Sequence, residues 1–162
     1  MEVLGRSGPV VVCLEPGHDL APLVGCGTAL ARFLDVTLYL AAVFILPDQR
    51  PLDLSDSEEE TAEALLEAAA GLVTDGSLAP TEAVWVARNW TEAVQQIVEE
   101  VSASALVIGW RASGPLHRFD VGRTLLRAVS CPVIMVGQAQ SGKQKPSWPA
   151  RWLVEAQLQL SE

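Results

Sequence analysis

A doubly wound α/β fold, one five-stranded parallel sheet with helices on both faces, is predicted by three features of the chain. Short runs of almost unbroken apolar residues recur, such as residues 9–14 (PVVVCL) and 105–108 (ALVI), and these suit parallel strands buried on both sides. They alternate with stretches of helical period in the order β, α, β, α, β, α, β, α, β, the pattern of right-handed crossover units. The last unit, residues 103–137, reads strand, glycine-punctuated loop, helix, strand. In an open parallel sheet that loop leaves the carboxyl end of its strand, where ligands bind. The 162 residues suit one α/β domain over 1–137, followed by a linker and a short amphipathic segment over 138–162.

Taken in order, the strand 9–14 ends at Glu15, Pro16 and Gly17. Asp19 is placed to cap a helix with Pro22 in its first turn, and Leu23, Leu30, Ala31 and Leu34 recur at helical spacing as far as Asp35. Residues 36–45 (VTLYLAAVFI) read as the second strand, and 47–56, with two prolines and three aspartates, as a loop. Ser57 and Glu60 have capping-box spacing for a helix running to about Leu72, with Ala64, Leu65, Ala68 and Leu72 as its inner face and Glu58, Glu59, Glu60, Glu63 and Glu67 as its wet face. Asp75, Gly76 and Pro80 mark a turn before the third strand, 83–87. Asn89 and Glu92 then have capping spacing for the next helix. The fourth strand, 105–108, is bounded by Gly109; Gly122 leads into a short helix, TLLRAV, that stops before Cys131 and Pro132, and 133–136 is the fifth strand.

Composition removes several classes of function. No apolar run approaches the ~20 residues of a membrane span, so the protein is expected not to be membrane-embedded. Only Arg6 precedes the first apolar run and no small-residue cleavage site follows it, so no signal peptide is expected. Cys13, Cys26 and Cys131 are unclustered and odd in number, which disfavours a disulfide framework or a cysteine-rich zinc site and points to the cytoplasm. Net charge is −9, unevenly spread: residues 101–150 hold six basic residues and one acid, while the remainder holds five basic and nineteen acidic. That acidic remainder repels a long polyanion, and no aromatic-basic interleaving appears, so nucleic acid is not an expected partner.

The basic island falls on the loop of the last unit. Its spacing, Gly109, two residues, position 112, nine residues, Gly122, together with the ending CPVIMV, resembles the nucleotide-binding half of the universal stress protein family. That family has Gly, two residues, Gly, nine residues, Gly and then Ser or Thr. Here Ala112 stands for the second glycine and Arg123 for the hydroxyl residue, with Thr124 one step later. The resemblance covers 9–137 and implies strand order 3-2-1-4-5, a homodimer, and an adenine nucleotide (ATP, AMP or cyclic di-AMP) as ligand, bound without catalysis. It also implies that Val43 packs on adenine, that Glu15 and Pro16 stand at the family's Asp and Gly, and that phosphates lie over 109–124.

The residues themselves leave some roles open. Glu15 offers a carboxylate to a ribose, or caps a loop N–H. Trp110 stacks on a base, or packs across its loop. Arg123, beside a helix start, replaces the missing hydroxyl at phosphate, fills the phosphate pocket, or suits a ligand with differently placed phosphates; Arg111 and Arg118 share the phosphate role, or the basic island is a solvated surface. Ala112 adds a methyl group to the loop, and Gly114 supplies flexibility two residues on.

Signs of catalysis are sparse. GQAQSGKQ, 137–144, nearly spells a phosphate-binding loop, but Gln144 replaces its Ser or Thr, and Pro146 and Pro149 forbid the helix that must follow. His18 and His117 belong to no metal-binding spacing, and beyond Glu15 no base or metal carboxylate is evident, so neither an enzyme nor a metal site is expected. The tail places Trp152, Ala156 and Leu160 on one helical face with Leu153 beside them; it covers its own domain, exchanges with a dimer mate, or docks on a partner. The expected function is a cytoplasmic, nucleotide-binding regulator. The alternative is a nucleotide-free dimeric scaffold or the regulatory partner of a membrane transporter, since the pair Gly109 and Trp110 is similar to transporter-associated members.

Overall fold

The computed structural model describes residues 7–110 and 117–138, with backbone alone over 117–122. The apolar run of residues 10–14 forms the centre of the molecule. All five residues of β1 (Val10–Leu14) are fully enclosed. Alternate side chains of a strand point to opposite faces, so an unbroken apolar strand needs cover on both. The chain supplies it with α1 (Leu20–Leu34) and, after β2 (Leu38–Ile45), α2 (Asp56–Gly71) on one face. After β3 (Thr81–Ala87), α3 (Trp90–Glu100) takes the other face; β4 (Ala105–Trp110) follows, then α4 (His117–Ala128) on that same face, and β5 (Val133–Gly137). All pairings are parallel, and the strand order is 3-2-1-4-5, as the resemblance implies.

Two apolar layers result. Val10, Val12 and Leu14 meet Leu23, Val24, Ala31, Leu66 and Ala69, whereas Val11 and Cys13 meet Val94, Ile97, Leu106 and Leu125. Each large enclosed aliphatic side chain contributes about 1.5–3 kcal/mol relative to exposure. Close approach of α1 to the sheet depends on Gly27, where a Cβ would stand 2.3 Å from Val12 Cγ2.

Several boundaries differ from those read in the sequence, each for a local reason. The second strand begins at Leu38, because Asp35 takes a left-handed conformation (φ 54°) that ends α1. Its N–H donates to Arg32 O at 3.2 Å and the Val36 N–H to Ala31 O at 3.0 Å, the paired bonds of a Schellman ending with aspartate in glycine's usual place. The third strand starts earlier, at Thr81, in register with Tyr39. The α2 cap is Ser55 with Glu58, two residues before the expected pair: Ser55 N–H donates to Glu58 Oε2 at 2.8 Å, and the Arg50 guanidinium grips both carboxylate oxygens at 2.8 Å. Ser57 and Glu60 have the same spacing but lack that arginine. The buried face of α2 is accordingly Ala62, Leu66 and Ala69; Ala64, Ala68 and Leu72 are exposed and Leu65 is half-buried. In a helix rich in Ala and Leu, several stripes satisfy the helical period, and the sheet surface selects one.

β4 continues through Gly109 to Trp110 because β5 pairs with it to the end, Gly109 opposite Val136 and Trp110 opposite Gly137. β5 is an edge strand and only half-buried, with Met135 42% exposed. Among the described residues no helix is long and apolar enough to cross a membrane.

Candidate functional site

The strand order reverses between β1 and β4, and the crevice beyond their carboxyl ends is where such sheets hold ligands. Parallel register brings distant residues together there. Leu14 lies opposite Ala42 and Val12 opposite Val107, so one step past β1 the backbone of Glu15 is level with Val43 on β2 and Trp110 on β4. Three residues expected at the site, 95 positions apart at the extremes, thus form one row across adjacent strands. Val43 is enclosed (2% exposed) in the apolar cluster that α3 and α4 cover, while Trp110 is half-buried.

The connection from β1 to α1 is a tight turn. The His18 N–H donates to Glu15 O at 3.2 Å, with Pro16 and Gly17 between them and Gly17 at φ 83°. Proline before a left-handed glycine is the type II pattern: the ring presets the first central residue, and glycine alone accepts the second without strain. The turn folds His18 back so that its Nε2 stands 3.2 Å from Glu15 Oε2. The imidazole is nearly enclosed, whereas the carboxylate keeps 36% of its surface. A Cβ on Gly109 would meet His18 Nδ1 at 2.8 Å and Cε1 at 2.9 Å. The glycine at 109 therefore has a packing cause, the seat of His18, independent of any ligand.

Asp19 occupies the N-cap of α1 as expected, but its side chain makes no capping bond. The Asp19 N–H instead donates to Gln138 Oε1 at 2.5 Å, and Gln138 Nε2 donates to Asp19 O at 3.3 Å. Gln138, which the sequence places at the start of the linker, is buried, and its N–H donates to Trp110 O at 2.7 Å. No local signal in the sequence marks it, because its partner lies 119 residues away.

The β4–α4 side is described in part. Arg111, Ala112 and Gly114 lie outside the described residues, as does the tail with Trp152, Leu153, Ala156 and Leu160. α4 begins at His117, so Gly122 lies within the helix and not before it. A glycine inside a helix costs about 1 kcal/mol relative to alanine, too little to break it where the flanking turns are held. Arg123 and Thr124 immediately precede Leu125, which faces the sheet; both are exposed, and Arg123 shares a helix flank with the exposed Arg127. They offer charge and hydroxyl from the side of α4, not from its first turn. His117 is the first residue of the helix.

Beside the row, burial pushes the Cys13 thiol far up, helped by the nearby Glu15 carboxylate and Cys131, so the thiol stays protonated and unreactive. Among the described residues no three His, Cys, Asp or Glu side chains cluster to hold a metal. Past β2, Arg88 donates to Pro47 O and Arg50 O, tying the 46–55 loop to the carboxyl end of β3. No sequence signal singles out Arg88; it lies just after a strand end, where a loop arginine has many possible partners.

The universal stress protein family model matches residues 8–137. No curated protein matches the chain significantly. Among solved structures, the fold is similar to a universal stress protein from Archaeoglobus fulgidus in complex with dAMP, at 20% identity and TM-score 0.62, covering 80% of this chain and 98% of that one. It is also similar to a universal stress protein in complex with cAMP, at 20% identity and TM-score 0.57 over 82% and 100% of the two chains. A family protein from Arabidopsis thaliana with AMP bound is 16% identical, with TM-score 0.51 over 88% and 99%.

Proposed function

Because the chain belongs to the universal stress protein family, we propose that it is a regulatory protein that binds an adenine nucleotide without turning it over. The observation that carries this reading is the row of Val43, Glu15 and Trp110 at the reversal point of the sheet. Solved relatives of the same fold are complexes with dAMP, cAMP and AMP. In this reading the half-buried Trp110 gives apolar surface to adenine above the enclosed Val43, and the exposed edge of the Glu15 carboxylate accepts from ribose hydroxyls. Pro16 shapes the turn beneath. Phosphates run toward 109–124, over Gly109, Arg111, Ala112, Gly114, Gly122, Arg123 and Thr124. With no hydroxyl residue directly after Gly122, the Arg123 guanidinium is the group that meets phosphate, and a charged hydrogen bond of this kind contributes ~1.5–3 kcal/mol.

Titration calorimetry and thermal shift with ATP, AMP and cyclic di-AMP test the reading. Binding of at least one, with stabilisation that reaches ~2.7 kcal/mol at a hundredfold excess over Kd, no release of phosphate, and affinity lowered by Arg123→Ala, is the expected result. No heat and no shift with any of them at millimolar concentration would overturn it.

A second reading has an observation of its own. Among the described residues the edge strand β5 is paired on one side only and exposes Met135, and such an edge invites pairing with another chain. We infer a homodimer formed along β5, which serves equally a nucleotide-free scaffold or a regulatory partner of a membrane transporter in the cytoplasm.

A further inference from the structure

We propose that Gln138 is a positioning residue of the nucleotide site, holding the β1–α1 turn so that Glu15 is aimed at the ligand; this rests on the nucleotide reading above. Gln138 is the one buried polar residue among the described residues, 8% exposed. Burying a carboxamide is costly unless both of its ends are bonded. Here both ends engage the same backbone unit, Oε1 accepting from Asp19 N–H at 2.5 Å and Nε2 donating to Asp19 O at 3.3 Å. The root of the side chain is equally fixed, because the Gln138 N–H donates to Trp110 O at 2.7 Å.

The side chain therefore spans from the end of β5, past β4, to the start of α1. It passes close to Gly109, where a Cβ would stand 3.3 Å from Gln138 Cγ and under 3 Å from the His18 ring. Gln138 and His18 thus share the space that a side chain at 109 would fill. His18, next in sequence to the clamped Asp19, holds the Glu15 carboxylate at 3.2 Å. Gln138 fixes Asp19, Asp19 fixes the placement of His18 against Gly109, and His18 orients Glu15.

Two variants separate the hydrogen bonds from the volume. Gln138→Met has similar length and neither bond; Gln138→Glu keeps an acceptor for the Asp19 N–H. In the protein without nucleotide, hydrogen exchange at the Asp19 amide should speed up about fivefold in Gln138→Met, the loss of one net hydrogen bond, with a shift of the His18 ring resonances. Gln138→Glu should restore much of the protection. With AMP and dAMP as probes, Gln138→Met should weaken AMP binding several-fold and narrow the preference for AMP over dAMP, because only the ribose hydroxyl facing Glu15 differs between them. Unchanged Asp19 exchange in Gln138→Met overturns the proposal, and so does faster exchange with both affinities unaltered. If the wild-type protein binds neither AMP nor dAMP, the aiming of Glu15 at a nucleotide ribose is overturned, while ATP and cyclic di-AMP still decide the nucleotide reading and the exchange rates still report whether Gln138 holds the turn.

Discussion

Gly109 shows how one residue carries two causes. Its place in the family spacing suggests backbone approach to a ligand, yet His18 and Gln138 already occupy the space its side chain would need. Gly109→Ala is expected to displace the imidazole at a cost of ~1–3 kcal/mol, the usual range for overpacking, and to weaken nucleotide binding as well. Thermal denaturation separates the two effects: a lowered Tm in the protein without nucleotide reports the packing, and an unchanged Tm would refute it. Cys13 carries a single cause. Enclosed in the sheet with its thiol held protonated, it should resist alkylation until the protein unfolds. Modification of Cys13 in the native state at the rate of Cys26 would contradict this burial.

At the scale of elements, stability hangs on how helices are capped and seated. Glu58 at the start of α2 has its pKa lowered to about 2, first by the Arg50 hydrogen bonds and then by the Ser55 N–H and hydroxyl. Asp75, in the turn before β3, is lowered to about 2 by the Ser77 hydroxyl and N–H and then by Arg32. Both carboxyls bind protons more readily in the unfolded chain. Their contribution is therefore complete above their ordinary values near 4.5 and 3.8 and is lost as pH falls toward 2. Urea midpoints should decline across that window, and Glu58→Gln with Asp75→Asn should flatten the decline; an unaltered slope in the double variant would exclude these two groups. Gly27→Ala should push α1 off β1, because Val12 is enclosed and has nowhere to retreat; a loss of ~1–3 kcal/mol by denaturant titration is expected, and no loss would mean that α1 sits further from the sheet.

For the whole molecule the decisive feature is the unequal cover of the sheet. Central β1 is enclosed on all sides, and among the described residues β5 is paired on one side only. If copies of the chain pair along β5, Met135→Lys should give a monomer with nearly unchanged Tm, because Met135 is already 42% exposed within its own chain. Light scattering over a concentration series checks this; a wild-type monomer at high concentration would rule the dimer out.

How much was legible before folding follows from the range of the interactions. Apolar runs and helical periods are local, so the nine alternating elements, the Asn89 cap with its 2.8 Å bond from Thr91 N–H, and the buried strand Val10–Leu14 could all be read from the sequence. The glycine spacing at 109 and 122 likewise marked the end of the sheet where the candidate site lies. Choices among equivalent local patterns were not legible. Ser55 caps α2 instead of Ser57 because Arg50 reaches Glu58, and Ala62, Leu66 and Ala69 face inward because the sheet meets that stripe. Nor could the sequence reveal the clamp of Gln138 on Asp19 or the seat of His18 on Gly109. Those contacts join segments that only the parallel register of β1, β4 and β5 brings within hydrogen-bond reach, and register is a property of the whole sheet.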